Sequence, residues 1–337
     1  MVTGREWQLV NRPRGWPVPG DFALVEREVR EPRDGEVLVR NHFMSVDPYM
    51  RGRMNAQRSY ASPYELGKAM YGGAVGEVVA SRSDRVPEGA SVLNQRGWRE
   101  LAVCRAEEVQ IVDAGAAPLP AYLGVLGMPG LTAYVGLFDI GRPEPGQTVF
   151  VSAASGAVGS IAGQLAKAHG CRVVGSVGSA EKVRYVTDEL GFDEAFDYHA
   201  DGQGADLTAR LRAAAPDGVD VYFENVGGEH LRAALAVLNP FGRVVACGMI
   251  SQYNEPGPGP DNLFHIVAKR LRVQGFIVSD HLDRQQAFVG HVGGMLRAGT
   301  LHHRETVVDG IENAVQALLD VLEGGRHLGK MVVRLAA

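Results

Sequence analysis

Ala154, Gly156 and Gly159 are the residues whose spacing most directly implies chemistry. They stand between an apolar run opening at Val149 and an amphipathic stretch ending near Gly170. That pattern predicts a buried strand, a tight turn and a helix. In such a turn the central glycine lets the backbone approach a pyrophosphate, and the last lets the helix pack closely on the strand. The N–H groups and positive end of the helix then face the anion. Alanine takes the place of the first glycine, and Ala157 and Val158 complete the turn. The expected ligand is a dinucleotide.

A second strand is expected over Arg172–Val177, with Gly178 after it and Ser179 as the N-cap of a helix to about Leu190. Folds that hold NAD place an Asp or Glu at the end of this strand, on the ribose 2′-hydroxyl. Here no acid occupies that end; Glu181 comes later, inside the helix. A carboxylate would repel a 2′-phosphate, and Lys182 would attract one. One charge-assisted hydrogen bond contributes roughly 1.5–3 kcal/mol, or about 10- to 150-fold in affinity. NADPH is therefore the expected cofactor.

The elements that must position these residues follow in order. Glu194–Tyr198, Val219–Phe223, Gly242–Cys247 and Leu271–Val278 read as further strands, with a helical stretch around Leu207–Ala215. Six strands joined by helical crossovers predict a doubly wound parallel sheet. Asn225 and the Gly227-Gly228 turn follow the fourth strand, where an amide suits a polar contact to ribose or nicotinamide. Ahead of this region, Glu36–Arg40, Gly76–Ala80 and Ala90–Leu93 alternate like half-buried strands and are separated by glycine turns. They predict a small barrel. Near the end, a helix over Ile311–Glu323 and a strand over Lys330–Leu335 are expected to return to it. The expected domains are 1–120 with 297–337, and 121–296.

Composition narrows the function classes. The chain has 337 residues, 45% hydrophobic and 22% charged, which fits a globular protein. Glycine, at 43 residues, is well above the usual share of roughly 7%. A net charge of −5 leaves no electrostatic footprint for nucleic acid or a membrane surface. No apolar run approaches the ~18 residues of a membrane span. The N-terminal stretch is polar, so the cytoplasm is the expected setting. Cys104, Cys171 and Cys247 lie far apart and suggest no disulfide framework.

The ordered motifs Ser45–Arg51, Leu123–Tyr134, Ala153–Ser160, Glu224–Gly228, Cys247–Asn254 and Leu328–Lys330 resemble those of the medium-chain dehydrogenase/reductase superfamily. Within it the chain is similar to the zinc-independent prostaglandin reductase (leukotriene B4 dehydrogenase) group, with its alkenal and curcumin reductases. The resemblance implies an α/β protein: a GroES-like β-barrel domain plus a doubly wound parallel-sheet Rossmann domain. It implies a homodimer and no metal. The segment Gly67–Gly76 lacks the Gly-His-Glu that supplies the superfamily's zinc-binding histidine.

Lys182 and Tyr198 match the group's contacts to the 2′-phosphate. Cys247, Gly248, Ile250 and Ser251 in one loop, and Phe276, Ile277 and Val278 in the sixth strand, match its cofactor contacts. The implied reaction is NADPH-dependent reduction of the C=C bond of an α,β-unsaturated ketone or aldehyde. Hydride goes to the β-carbon, and a neutral tyrosine donates to the carbonyl oxygen. Tyr253 is the first candidate, with Tyr49 and Tyr60 of the front domain next. Met44, Arg51, Met54 and Tyr71 are candidates for the pocket wall. His327 stands where the group often has Asn before Leu-Gly-Lys. A quinone reductase and a non-catalytic NADPH-binding sensor are the alternatives.

Overall fold

The computed structural model describes residues 2–200, 206–324 and 327–335. They form two units: Met1–Gly124 with Glu305–Ala337, and Val125–Arg304. These limits differ from the expected ones at both joints. Residues 121–124 stay with the first unit because Leu123 packs with Val75, Val112 and Val332. Residues 297–304 stay with the second. The Gln164 side chain there donates to the His302 carbonyl at 2.8 Å and accepts from its N–H at 2.7 Å.

The first unit is built on the long strand Glu36–Ser45. One edge pairs antiparallel with Ala74–Ser81. The other pairs with Leu101–Arg105 along its first half and with Lys330–Arg334 at its end. Two register shifts against Ala74–Ser81 bend the strand, as bulges do, and let the sheet curl into the GroES-like barrel. The expected tail strand therefore does return to the front of the chain. Lys330 and Asp47 fix it there as an ion pair at 3.0 Å, both nearly inaccessible. The Lys330 ammonium also donates to the carbonyls of Val46 and Met331.

The second unit holds a six-stranded parallel sheet. Its spatial order is Glu194–Asp197, Arg172–Val177, Thr148–Val151, Val219–Glu224, Leu238–Ala246, Arg272–Gly275. Numbered along the chain this is 3-2-1-4-5-6, the dinucleotide-fold order, with its switch point beside Thr148–Val151. Val149, Phe150 and Val151 are fully buried, as a central strand covered on both faces requires. Asp206 caps the helix Leu207–Ala214, accepting from the N–H groups of Thr208 and Ala209.

Two expectations are corrected here. The sixth strand ends at Gly275, so Phe276, Ile277 and Val278 follow it rather than lie in it. Its pairing partner, the fifth strand, stops at Ala246 opposite Gly275, leaving no ladder to continue. Cys247 likewise falls just outside the fifth strand, which ends at Ala246 opposite Glu224, the last residue of the fourth. Among the described residues no helix is long and apolar enough to cross a membrane.

Candidate functional site

The fingerprint turn joins Thr148–Val151 to the helix Gly159–Ala168. Gly159 has no room for a side chain. A Cβ there would stand 2.4 Å from the Ala153 carbonyl oxygen and 3.0 Å from the Ala154 Cα. Gly156 is less confined, with only the Ala153 oxygen at 3.2 Å. Ala153 itself takes a left-handed φ of 49°, uncommon for a residue with a side chain. Ala154 is fully buried and its N–H donates to the Ser176 carbonyl, tying the turn to the second strand. Ala157 and Val158 are half-buried in the turn.

At the end of the second strand Ser179 caps the next helix as expected, its hydroxyl accepting from the Lys182 N–H at 3.2 Å. The helix then continues past Arg184 as a wider π-type turn to Glu189. A Cβ on Gly178 would lie 3.2 Å from the Tyr198 hydroxyl. Gly178 and Tyr198 thus stand side by side, with Ser179 and Lys182 in the cap and helix that follow Gly178. Lys182 is only 8% exposed, and burial lowers the affinity of its amine for a proton, with Glu181 opposing. A buried ammonium of this kind gains from an anionic ligand. The Tyr198 ring meets the buried His230 edge-on, centroids 4.9 Å apart. No sequence signal singled out His230.

A second cluster lies at the carboxyl ends of the fourth, fifth and sixth strands. A cavity of about 490 Å³ is lined there by Ala246, Cys247, Gly248, Met249, Gly275, Phe276, Ile277 and Asp280. It brings together the expected Cys247, Gly248, Phe276 and Ile277, and adds Asp280. Val278 begins the 3-10 segment Val278–Arg284 just beyond. Burial and the neighbouring Glu224 carboxyl push the Cys247 thiol up to about 12. Asn225 leans inward: its side-chain N–H donates to the Ser152 carbonyl at 2.7 Å, and its main-chain N–H to the Ser152 hydroxyl at 2.9 Å. Ile250 and Ser251 bond back through their N–H groups to the carbonyls of Asn225 and Val226. The Tyr253 hydroxyl lies 3.1 Å from where a Cβ on Gly248 would stand.

The remaining candidates belong to the first unit. Tyr49 packs against the core, where burial and Asp47 raise its phenol above the ordinary tyrosine value. Tyr60 is 62% exposed. Met44 and Met54 are fully buried core residues. Arg51 is buried and spends its guanidinium on the Asn55 side chain and the Gly15 carbonyl. None of these three offers a surface to a ligand. Tyr71 is half-buried, with the Arg53 guanidinium 3.8 Å above its ring. Among the described residues no three His, Cys, Asp or Glu side chains converge as a metal site would need.

Comparison with known proteins agrees with this geometry. Residues 5–112 match the family model described as the N-terminal domain of oxidoreductase, and 157–290 the one described as zinc-binding dehydrogenase. The chain is 44% identical to the NADPH-dependent curcumin reductase of Escherichia coli, over 98% of this chain and 97% of that one. This chain belongs to the zinc-independent medium-chain dehydrogenase/reductase family. Another member, the NADP-dependent 2-alkenal reductase of Nicotiana tabacum, is 40% identical over 99% of this chain and 98% of its own. The crystal structure of CurA from Vibrio vulnificus in complex with NADPH superposes with a TM-score of 0.92. The two are 41% identical, with 99% of each chain covered. As a family member the chain is an oxidoreductase.

Proposed function

We propose that this protein uses NADPH to reduce the carbon–carbon double bond of α,β-unsaturated ketones and aldehydes. One observation carries the reading: the Tyr253 hydroxyl lies against Gly248, and Gly248 lines the cavity at the carboxyl edge of the parallel sheet. Ligands of doubly wound folds bind at that edge. When bound, NADPH supplies the hydride.

The chain's own residues do the rest. Ala154, Gly156, Ala157, Val158 and Gly159 receive the pyrophosphate. Gly178, Ser179, Lys182 and Tyr198 receive the 2′-phosphate. Asn225, Cys247, Gly248, Ile250, Ser251, Phe276, Ile277 and Val278 orient the nicotinamide end. Tyr253 donates a hydrogen bond to the substrate carbonyl oxygen, where negative charge develops as hydride reaches the β-carbon, and the α-carbon of the resulting enolate then takes a proton from water. Tyr49 and Tyr60 are the first unit's candidates for the same task. Tyr49, like any tyrosine, is protonated and a donor at neutral pH.

The protein works as a homodimer in this reading. The sixth strand, Arg272–Gly275, forms an edge of the sheet with all four residues exposed. Val273, Phe264 and Val267 are exposed apolar residues of the same unit. Such an edge invites pairing with another chain.

NADPH consumption against 4-hydroxynonenal, curcumin and a quinone, with a chelator control, tests the proposal. Turnover of the enal and enone, unaffected by chelator, is expected. Turnover of the quinone alone would assign the site to quinone reduction. Tight NADPH binding with no turnover would make the protein a sensor.

A further inference from the structure

Glu224 is the last residue of the fourth strand and is fully buried. One of its carboxylate oxygens gathers donors from three directions. Oε1 accepts from the Tyr222 hydroxyl at 2.7 Å, the Val226 N–H at 2.6 Å and the Gly227 N–H at 2.8 Å. The Ser152 hydroxyl lies 3.3 Å from the same atom. The Glu224 main-chain carbonyl meanwhile accepts from the N–H groups of Cys247 and Gly248, both at 3.0 Å. One residue therefore holds the turn after the fourth strand with its side chain and the loop after the fifth with its backbone.

The two loops are also sewn directly to each other. The Ile250 N–H donates to the Asn225 carbonyl. The Ser251 N–H and hydroxyl both donate to the Val226 carbonyl. Gly227 and Gly228 take left-handed φ values of 79° and 51°, and a Cβ on Gly227 would meet Met249 at 3.1 Å. The turn thus sits tightly on the second loop, and its conformation is one that most residues avoid. A conformation of that kind persists only where the surroundings over-determine it. The Glu224 carboxylate is the acceptor that does so, because without it the buried Gly227 N–H and the half-buried Val226 N–H lose their partner.

We propose that Glu224 is a positioning residue for the cofactor. It sets the register between the Asn225–Gly228 turn and the Cys247–Tyr253 loop, and so places Asn225, Gly248 and Tyr253 for the nicotinamide end. The inference rests on the NADPH reading above. Burial raises the Glu224 carboxyl above the ordinary value while the N–H donors act against that rise. The other oxygen, Oε2, has no hydrogen-bond partner among the described residues.

That asymmetry gives the test. Glu224→Gln keeps an oxygen acceptor for Val226 and Gly227 but puts an NH2 where Oε2 has no partner. Glu224→Leu fills a similar volume and keeps no acceptor. Tyr222→Phe removes one donor to Oε1 and leaves the Val226 and Gly227 N–H groups their acceptor. NADPH binding is measured by fluorescence titration alongside thermal unfolding. Glu224→Gln is expected to unfold at lower temperature yet bind within about threefold of wild type. Glu224→Leu is expected to lose about tenfold or more in affinity. Tyr222→Phe is expected to bind as wild type does. Folded Glu224→Leu with unchanged NADPH affinity would overturn the proposal, as would a Tyr222→Phe loss equal to that of Glu224→Leu.

Should Glu224→Leu not fold, Ser152→Ala removes the acceptor of the Asn225 N–H within the same network. A severalfold weaker NADPH affinity supports the proposal; an unchanged one overturns it. Failure of the wild-type protein to bind NADPH would instead remove the cofactor reading, and the inference with it.

Discussion

The methyl group of Ala154 occupies space that a side chain on Gly175 would need. A Cβ on Gly175 would come within 2.9 Å of it, and within 3.0 Å of the Phe192 ring. The alanine in the fingerprint turn fits because the neighbouring strand carries glycine opposite it. Gly175→Ala should overpack this point and cost about 1–3 kcal/mol. Adding Ala154→Gly should recover part of the loss. Urea unfolding of the two single variants and the double variant measures the coupling, and strict additivity would show that the residues do not share the space.

Lys182 should decide between the two nicotinamide cofactors. Lys182→Ala is expected to lower the preference for NADPH over NADH by about 10- to 150-fold, the worth of one charge-assisted hydrogen bond. The change should appear in the NADPH KM and leave the NADH KM nearly unmoved. Equal losses for both cofactors would mean that Lys182 supports the fold rather than the phosphate.

Tyr253→Phe removes a hydroxyl and little else. If Tyr253 stabilises charge on the substrate oxygen, kcat should fall on the order of 10²–10³-fold. NADPH affinity, measured without substrate, should stay the same. Unchanged turnover would transfer the role to Tyr49 or Tyr60, and the same substitution at each would identify which.

His230 makes stability depend on pH. Burial lowers its imidazole from 6.5 to about 4, and His199 adds to the fall. The unfolded chain therefore binds the proton more readily than the folded one. The stabilisation is complete above about pH 6.5 and is lost as pH drops toward 4. The shift corresponds to about 3 kcal/mol in total. His230→Phe keeps a ring against Tyr198 and removes the titration. Unfolding free energies between pH 4 and 7 should lose that share of their slope in the variant.

Much of the fold could be read from residue order because the deciding signals are local. The apolar run before Ala154, the Ser179 cap and the glycine spacing each act within a few positions, and each element forms as expected. Lys182 and Tyr198 are linked only by the family resemblance, since 16 positions separate them in the sequence. Other parts depend on what packs alongside. Phe276–Val278 is apolar enough to extend a strand, but its neighbour has already turned away at Ala246. Met44, Arg51 and Met54 lie in or beside the Ser45–Arg51 motif and are pocket candidates by sequence, yet all three are buried. Ser152 and Glu224 carry no spacing signal toward each other, because 72 positions separate them until the sheet places their strands side by side.

The Lys330–Asp47 ion pair has a consequence for how the chain is made. The strand that completes the first unit's sheet is synthesised after all of Val125–Arg304. On the ribosome, residues 36–45 must therefore wait with one flank open while the middle of the chain emerges and folds. The final lysine is what lets the opening segment settle, so the part of the protein made earliest is the part finished last.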